Sequence, residues 1–109
     1  MCSFLILLTK LYKTKDFKKL NELLKTRGPD HTNIYNYDNY TFIHNILHLC
    51  GNLTIQPIIK DNLIFLFNGE IYNYKDFGDY KSDTECILDL YIKHDINFVK
   101  YLDGEFAIT

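Results

Sequence analysis

The chain reads as an α+β fold, on three observations. A continuous apolar run over residues 2–9 suits a fully buried strand. Two segments, 15–25 and 82–94, carry apolar residues at helical spacing. Strand-like stretches over 41–49, 62–67 and 104–109 accompany them without strict strand–helix–strand alternation, which favours a mixed rather than a doubly wound architecture.

Each element has a local reason. The first strand starts at Cys2, directly behind Met1. In the first helix Phe17, Leu20, Leu23 and Leu24 are separated by lysines, and Gly28-Pro29 stops it. Residues 34–40 are rich in Tyr, Asn and Asp, the composition of a hairpin or loop with aromatic packing. Thr41–Leu49 follows as a strand, so that His44 and His48 fall on one of its faces. Ser82, with Glu85 three residues on, has the spacing of a capping box. Ile87, Leu88 and Tyr91 then give one apolar face as far as His94. No glycine ends this helix, so Asp95 or Asn97 must supply the left-handed turn.

Bulk properties narrow the function. At 109 residues the chain makes one domain at most, with room for one modest core. Apolar residues at 47% exclude disorder. A net charge of −2 gives no electrostatic case for nucleic acid or an anionic membrane as partner. The apolar start is too short for a membrane span and lacks the flanks of a signal peptide. Three cysteines (Cys2, Cys50 and Cys86) without CxxC spacing argue against a disulfide framework or zinc site and suit a reducing, cytoplasmic compartment. His31, His44, His48 and His94 lack metal-ligand spacing, so the metal expectation is none.

Cys2 is the chemically pointed residue. A small residue at position 2 permits removal of Met1, which would place a thiol and an α-amine on one carbon. With an amine pKa of roughly 7.7–8.0, the pair holds both a nucleophile and its base. Further segments then follow in order: Arg27-Gly28-Pro29-Asp30, Gln56-Pro57, Asn68-Gly69-Glu70-Ile71-Tyr72-Asn73-Tyr74, Ser82-Asp83-Thr84-Glu85 and Leu102-Asp103-Gly104-Glu105-Phe106-Ala107. Together with Cys2 this series resembles the glutaminase domain of the class II, N-terminal-nucleophile glutamine amidotransferases, most of all its asparagine synthetase branch. The likeness covers the whole chain.

The resemblance implies an αββα sandwich of two antiparallel sheets between helical layers, here incomplete at its C-terminal end. It implies glutamine as substrate, Cys2 as nucleophile, and Asn68 and Gly69 as the oxyanion hole. It also implies that Asp83 receives the substrate α-ammonium and that Glu70 belongs to the substrate-contacting segment. No cofactor is implied for residues 1–109; ATP and magnesium belong to a synthetase domain or subunit that takes the ammonia to an acceptor such as aspartate. On spacing alone Asn68-Gly69 reads as a hairpin turn, and Asp83 as a helix N1 acid; both alternatives stay open. Gly69 as glycine would let the backbone approach the substrate closely. Arg27 and Asp30 read as a turn braced by a charge pair.

Two departures stand out. Where the family carries an arginine for the substrate α-carboxylate, two residues after the histidine aligned with His44, this chain has Ile46. The family domain also runs on past the Gly104–Ala107 strand. Both favour the alternative of a non-catalytic remnant acting as a binding or regulatory module. Ile46 also suits an amidase whose substrate lacks an α-carboxylate.

Overall fold

Strands β2 (His31–Tyr37) and β3 (Tyr40–Ile46) form an antiparallel hairpin about Asp38 and Asn39 in a computed structural model that describes residues 1–10, 14–49 and 52–109. Asp38 adopts φ 50°, a conformation in which Asp is tolerated because its short polar side chain bonds locally. The aromatic residues pack along this hairpin, with Phe42 beside both Tyr35 and Tyr40. Strand β1 (Ser3–Leu8) pairs antiparallel on the other side of β3, giving the order β1-β3-β2.

Two expectations change here. β1 is partly rather than fully buried, because it pairs on one side only; Ser3 and Leu7 are its buried residues. β3 ends at Ile46, not Leu49, so His48 lies beyond the strand and shares no face with His44.

Helix α1 (Thr14–Lys25) packs on β1 and β3, yet its buried residue among the described side chains is polar. Asn21 faces inward while Leu20 and Leu23 are exposed, which departs from the apolar stripe the spacing suggests. The reason lies in Asn45, fully buried on β3. Its Nδ2 donates to Asn21 Oδ1 (2.9 Å) and Ser3 Oγ (3.2 Å), and its Oδ1 accepts from Thr32 Oγ1 (2.8 Å). Ser3 Oγ in turn donates to the carbonyl of Leu24 at 2.8 Å. One satisfied polar network thus ties α1, β1, β2 and β3 together.

The second half of the chain packs differently. β4 (Ile58–Lys60) and β5 (Leu63–Phe65) form a short hairpin, and β6 (Phe67–Ile71) pairs antiparallel with β7 (Gly104–Ile108). The strand expected over 62–67 is broken at Leu66, whose backbone pairs with Thr109 instead. Helix α2 (Asp83–His94) lies on β6 and continues into a 3-10 helix over Asp95–Tyr101. Phe65, Phe67, Ile71, Cys86, Ile87, Leu90 and Phe98 close into an apolar core between them. Asp95 turns the chain with φ 52°, as the absence of a glycine required.

The capping box does not form. Ser82 is the N-cap residue, but its hydroxyl lies 3.0 Å from Thr54 Oγ1, and Glu85 accepts from the Lys81 N–H rather than that of Ser82. Among the described residues no helix is long and apolar enough to cross a membrane.

Candidate active site

Cys2 precedes β1, Asn68 and Gly69 lie within β6, and Asp83 opens α2. All four, with Glu70, border one cavity of about 240 Å³. That is smaller than the ~300–1,000 Å³ typical of sites for drug-sized ligands. Asn68-Gly69 is therefore not a hairpin turn. The two residues sit mid-strand opposite Ala107 and Phe106, a partner segment far along the chain. Strand alternation turns Asn68, Glu70 and Tyr72 to one face and buries Phe67 and Ile71 on the other.

Gly69 has a packing reason to be glycine. It takes φ 147°, and a Cβ there would lie 2.1 Å from the Glu105 carbonyl oxygen. The close approach is to β7. Asn68 makes no side-chain hydrogen bond among those described, and its Oδ1 is buried without a partner. The strand that holds it is fixed from both sides. Gln56, buried ahead of the cis peptide to Pro57, accepts the Phe67 N–H through Oε1 at 2.6 Å and the Asn33 amide through its carbonyl at 2.8 Å.

His44, fully buried, reaches the other backbone group of the same residue: its Nε2 lies 3.2 Å from the Phe67 carbonyl. A bond there requires Nε2 to carry the proton, which leaves Nδ1 an acceptor, and Nδ1 is buried without a partner. Burial holds this imidazole below its ordinary pKa, against the Phe67 bond, which raises it. Sequence reasoning missed Gln56 and His44 as buttresses, because their partner is a backbone group of β6.

The Cys2 sulfur meets the backbone of Leu47. The Leu47 N–H donates to Sγ at 3.4 Å, and Sγ lies 3.7 Å from the Leu47 carbonyl. Cys86 is a contrasting thiol: burial, then Asp83, push it up to about 11, so it is an inert core residue. Cys50 lies outside the described residues.

Asp83 is more heavily engaged than an N1 acid. Its Oδ2 accepts the Ile71 N–H at 3.1 Å, fastening the end of β6 to α2. The charge pair expected in Arg27–Asp30 is absent among the described residues. Asp30 instead accepts the His48 N–H at 2.7 Å, and the Arg27 guanidinium lies 3.8 Å from the Met1 sulfur. No group of three or more His, Cys, Asp or Glu side chains that could hold a metal occurs among the described residues.

A family model described as glutamine amidotransferase domain matches residues 1–109. The chain is 37% identical to glutamine-hydrolyzing asparagine synthetase 1 of Saccharomyces cerevisiae, over 90% of this chain and 19% of that protein. It is 36% identical to glutamine-hydrolyzing asparagine synthetase B of Escherichia coli, over 84% of this chain and 19% of that protein. It is 30% identical to a probable glutamine-hydrolyzing asparagine synthetase of Dictyostelium discoideum, over 100% of this chain and 23% of that protein. The chain spans about a fifth of the length of these curated relatives. With a whole-length match and motifs that converge on one cavity, the chain belongs to the glutamine amidotransferase domain family.

Proposed function

We propose that residues 1–109 form part of a glutaminase domain that releases ammonia from a primary amide through Cys2, for use by a synthetase domain or subunit that carries the ATP and magnesium chemistry. The observation that carries this reading is the convergence of Cys2, Asn68, Gly69 and Asp83 on one cavity. The succession of α1, the β1-β3-β2 sheet, the β6-β7 pair and α2 supports an αββα sandwich.

Met1 is 67% exposed and open to an aminopeptidase. While it is attached, the Cys2 nitrogen is a peptide nitrogen and cannot serve as a base. Once it leaves, the free amine takes the thiol proton and sulfur attacks the amide carbon. Asn68 Nδ2 and the Gly69 N–H stabilise the oxyanion, a contribution of roughly 10²–10³ in rate per donor. The carbon–nitrogen bond breaks, the proton returns to the leaving nitrogen, and ammonia departs. Water then cleaves the thioester to a carboxylic acid and restores the thiol. Asp83 and Glu70 hold the ammonium end of the substrate. With glutamine the products are glutamate and ammonia; aspartate is the proposed acceptor, in a cytoplasmic setting.

Intact mass lacking Met1, ammonia release from glutamine, loss of it in Cys2→Ala, and labelling of Cys2 by a glutamine-like diazoketone test this reading. A retained Met1 with no adduct sinks it. A second reading, a binding module without turnover, is favoured by Ile46 in the cavity wall. It predicts that no ammonia forms although the fold is intact.

A further inference from the structure

The cavity lining combines two unlike sets of residues. One is apolar, Ile46, Leu47, Leu49 and Leu53; Ile46 is only 5% exposed. The other carries the carboxylates of Glu70, Asp83 and Glu105. Among the described residues no lysine or arginine borders it; its basic groups are the imidazoles of His44 and His48 and, once Met1 has left, the α-amine of Cys2 that the hydrolysis uses as its base. Burial lowers the pKa of the His44 imidazole. Arg27, the only arginine of the chain, lies against Met1 and outside the lining.

Glu70 and Glu105 face each other directly in the β6-β7 register. Like charges opposite one another destabilise a strand pair. Their field is felt locally: the Tyr72 phenol is raised above its usual value, first by Glu105, then by burial, Glu70 and Asp103. A charge pattern that disfavours the folded chain by itself, at the rim of a cavity holding a thiol, fits a cationic or neutral ligand. A carboxylate entering there meets three already present and an isoleucine that cannot pair with it.

We infer that the cavity of Cys2 selects a primary amide whose far end carries an ammonium but no free carboxylate, such as the side-chain amide of a glutamine whose α-carboxyl is itself tied up as an amide. The inference rests on the proposed amide hydrolysis and defines its substrate class. Ile46 is the specificity-determining residue, and Glu70 and Glu105 supply the repulsion.

The test compares ammonia release by the full chain, with Met1 removed, from L-glutamine and from its α-N-methylamide, which keeps a single primary amide. The methylamide is expected to have the higher kcat/KM, by about tenfold or more. Ile46→Arg should reverse the order. Because Ile46 is buried, Glu105→Gln serves as the milder variant and should narrow the ratio severalfold. A readout free of turnover is alkylation of Cys2 by iodoacetamide and by iodoacetate. Relative to a free cysteine peptide, the anionic reagent should be disfavoured several-fold. Equal or faster turnover of glutamine overturns the inference while leaving amide hydrolysis standing; loss of that preference in Arg27→Gln would then assign the carboxylate to Arg27. No ammonia from either amide overturns the hydrolytic reading, and the substrate class with it.

Discussion

The two halves that meet at the cavity are held together by different forces. The half that carries Cys2 is locked by directional bonds around Asn45, which join α1 to three strands. The half that carries Asn68, Gly69 and Asp83 is held by apolar burial among Phe65, Phe67, Ile71, Ile87, Leu90 and Phe98. Apolar burial is non-directional and supplies most of the folding free energy. A satisfied polar network supplies less net energy but fixes one arrangement. A thiol proposed as a nucleophile at the start of an edge strand needs position above all, and the network provides it. Substitutions in the two halves should therefore fail differently.

The largest effect belongs to the apolar half. Phe98 is almost completely buried and meets Tyr91 edge to face at 5.9 Å. Phe98→Ala should cost about 3–5 kcal/mol, a large share of the ~5–15 kcal/mol that stabilises a domain. Urea unfolding measures it; a loss below about 1 kcal/mol would mean that this core matters less than its burial implies.

Asn45→Ala is the matching change in the polar half. It leaves the buried Asn21 Oδ1 without its donor, takes one of the two bonds of Ser3 and the acceptor of Thr32, and should cost about 2–3 kcal/mol. Its distinguishing effect lies at Cys2, one residue from Ser3. The alkylation rate of Cys2 should change more in Asn45→Ala than in Phe98→Ala, each measured where the protein is folded. The reverse order would remove the contrast between the halves.

His44 joins the halves, since it stands on β3 and bonds the residue before Asn68. Its folded pKa is lowered by burial, whereas the unfolded chain takes up the proton near ~6.5. Below that pH the unfolded state holds more protons, so stability falls with pH until the folded imidazole itself is protonated. The slope from this one group can reach ~1.4 kcal/mol per pH unit. His44→Gln should flatten the stability profile below about pH 6.5 relative to the parent. Identical profiles would show that His44 is not the acid-sensitive joint.

Much of the apolar half was legible in the sequence. The helix from residue 83 to His94, the turn at Asp95 and the strand near the C-terminus all follow from local spacing. What local spacing cannot carry is partnership across the chain. Asn68-Gly69 looks like a turn until β7 is brought beside it. Ser82 looks like half of a capping box until Thr54 takes its hydroxyl. The stripe of α1 looks leucine-centred until Asn45 draws Asn21 inward. The proposed site residues stood out through the ordered motifs, Gln56-Pro57 among them; the supporting roles of Gln56, His44 and the Leu47 N–H did not, because they act through backbone contacts that leave no spacing signal.

The smallest effect is the most diagnostic for the rim between the halves. Glu105 faces Glu70 across β6-β7, and removing one of two opposed charges should relieve repulsion without emptying any packed space. Both carboxylates are exposed, so the gain is modest. Glu105→Gln should stabilise the chain by about 0.2–1 kcal/mol at low salt, and the gain should shrink as salt screens the pair. The Tyr72 phenol should move down toward its ordinary value, because Glu105 is the largest of the influences that raise it. Nuclear magnetic resonance of ring-labelled tyrosine reads that titration directly. A destabilised Glu105→Gln protein with an unmoved Tyr72 would mean that the two glutamates do not sense each other. The rim would then carry no field with which to choose between a carboxylate and an ammonium.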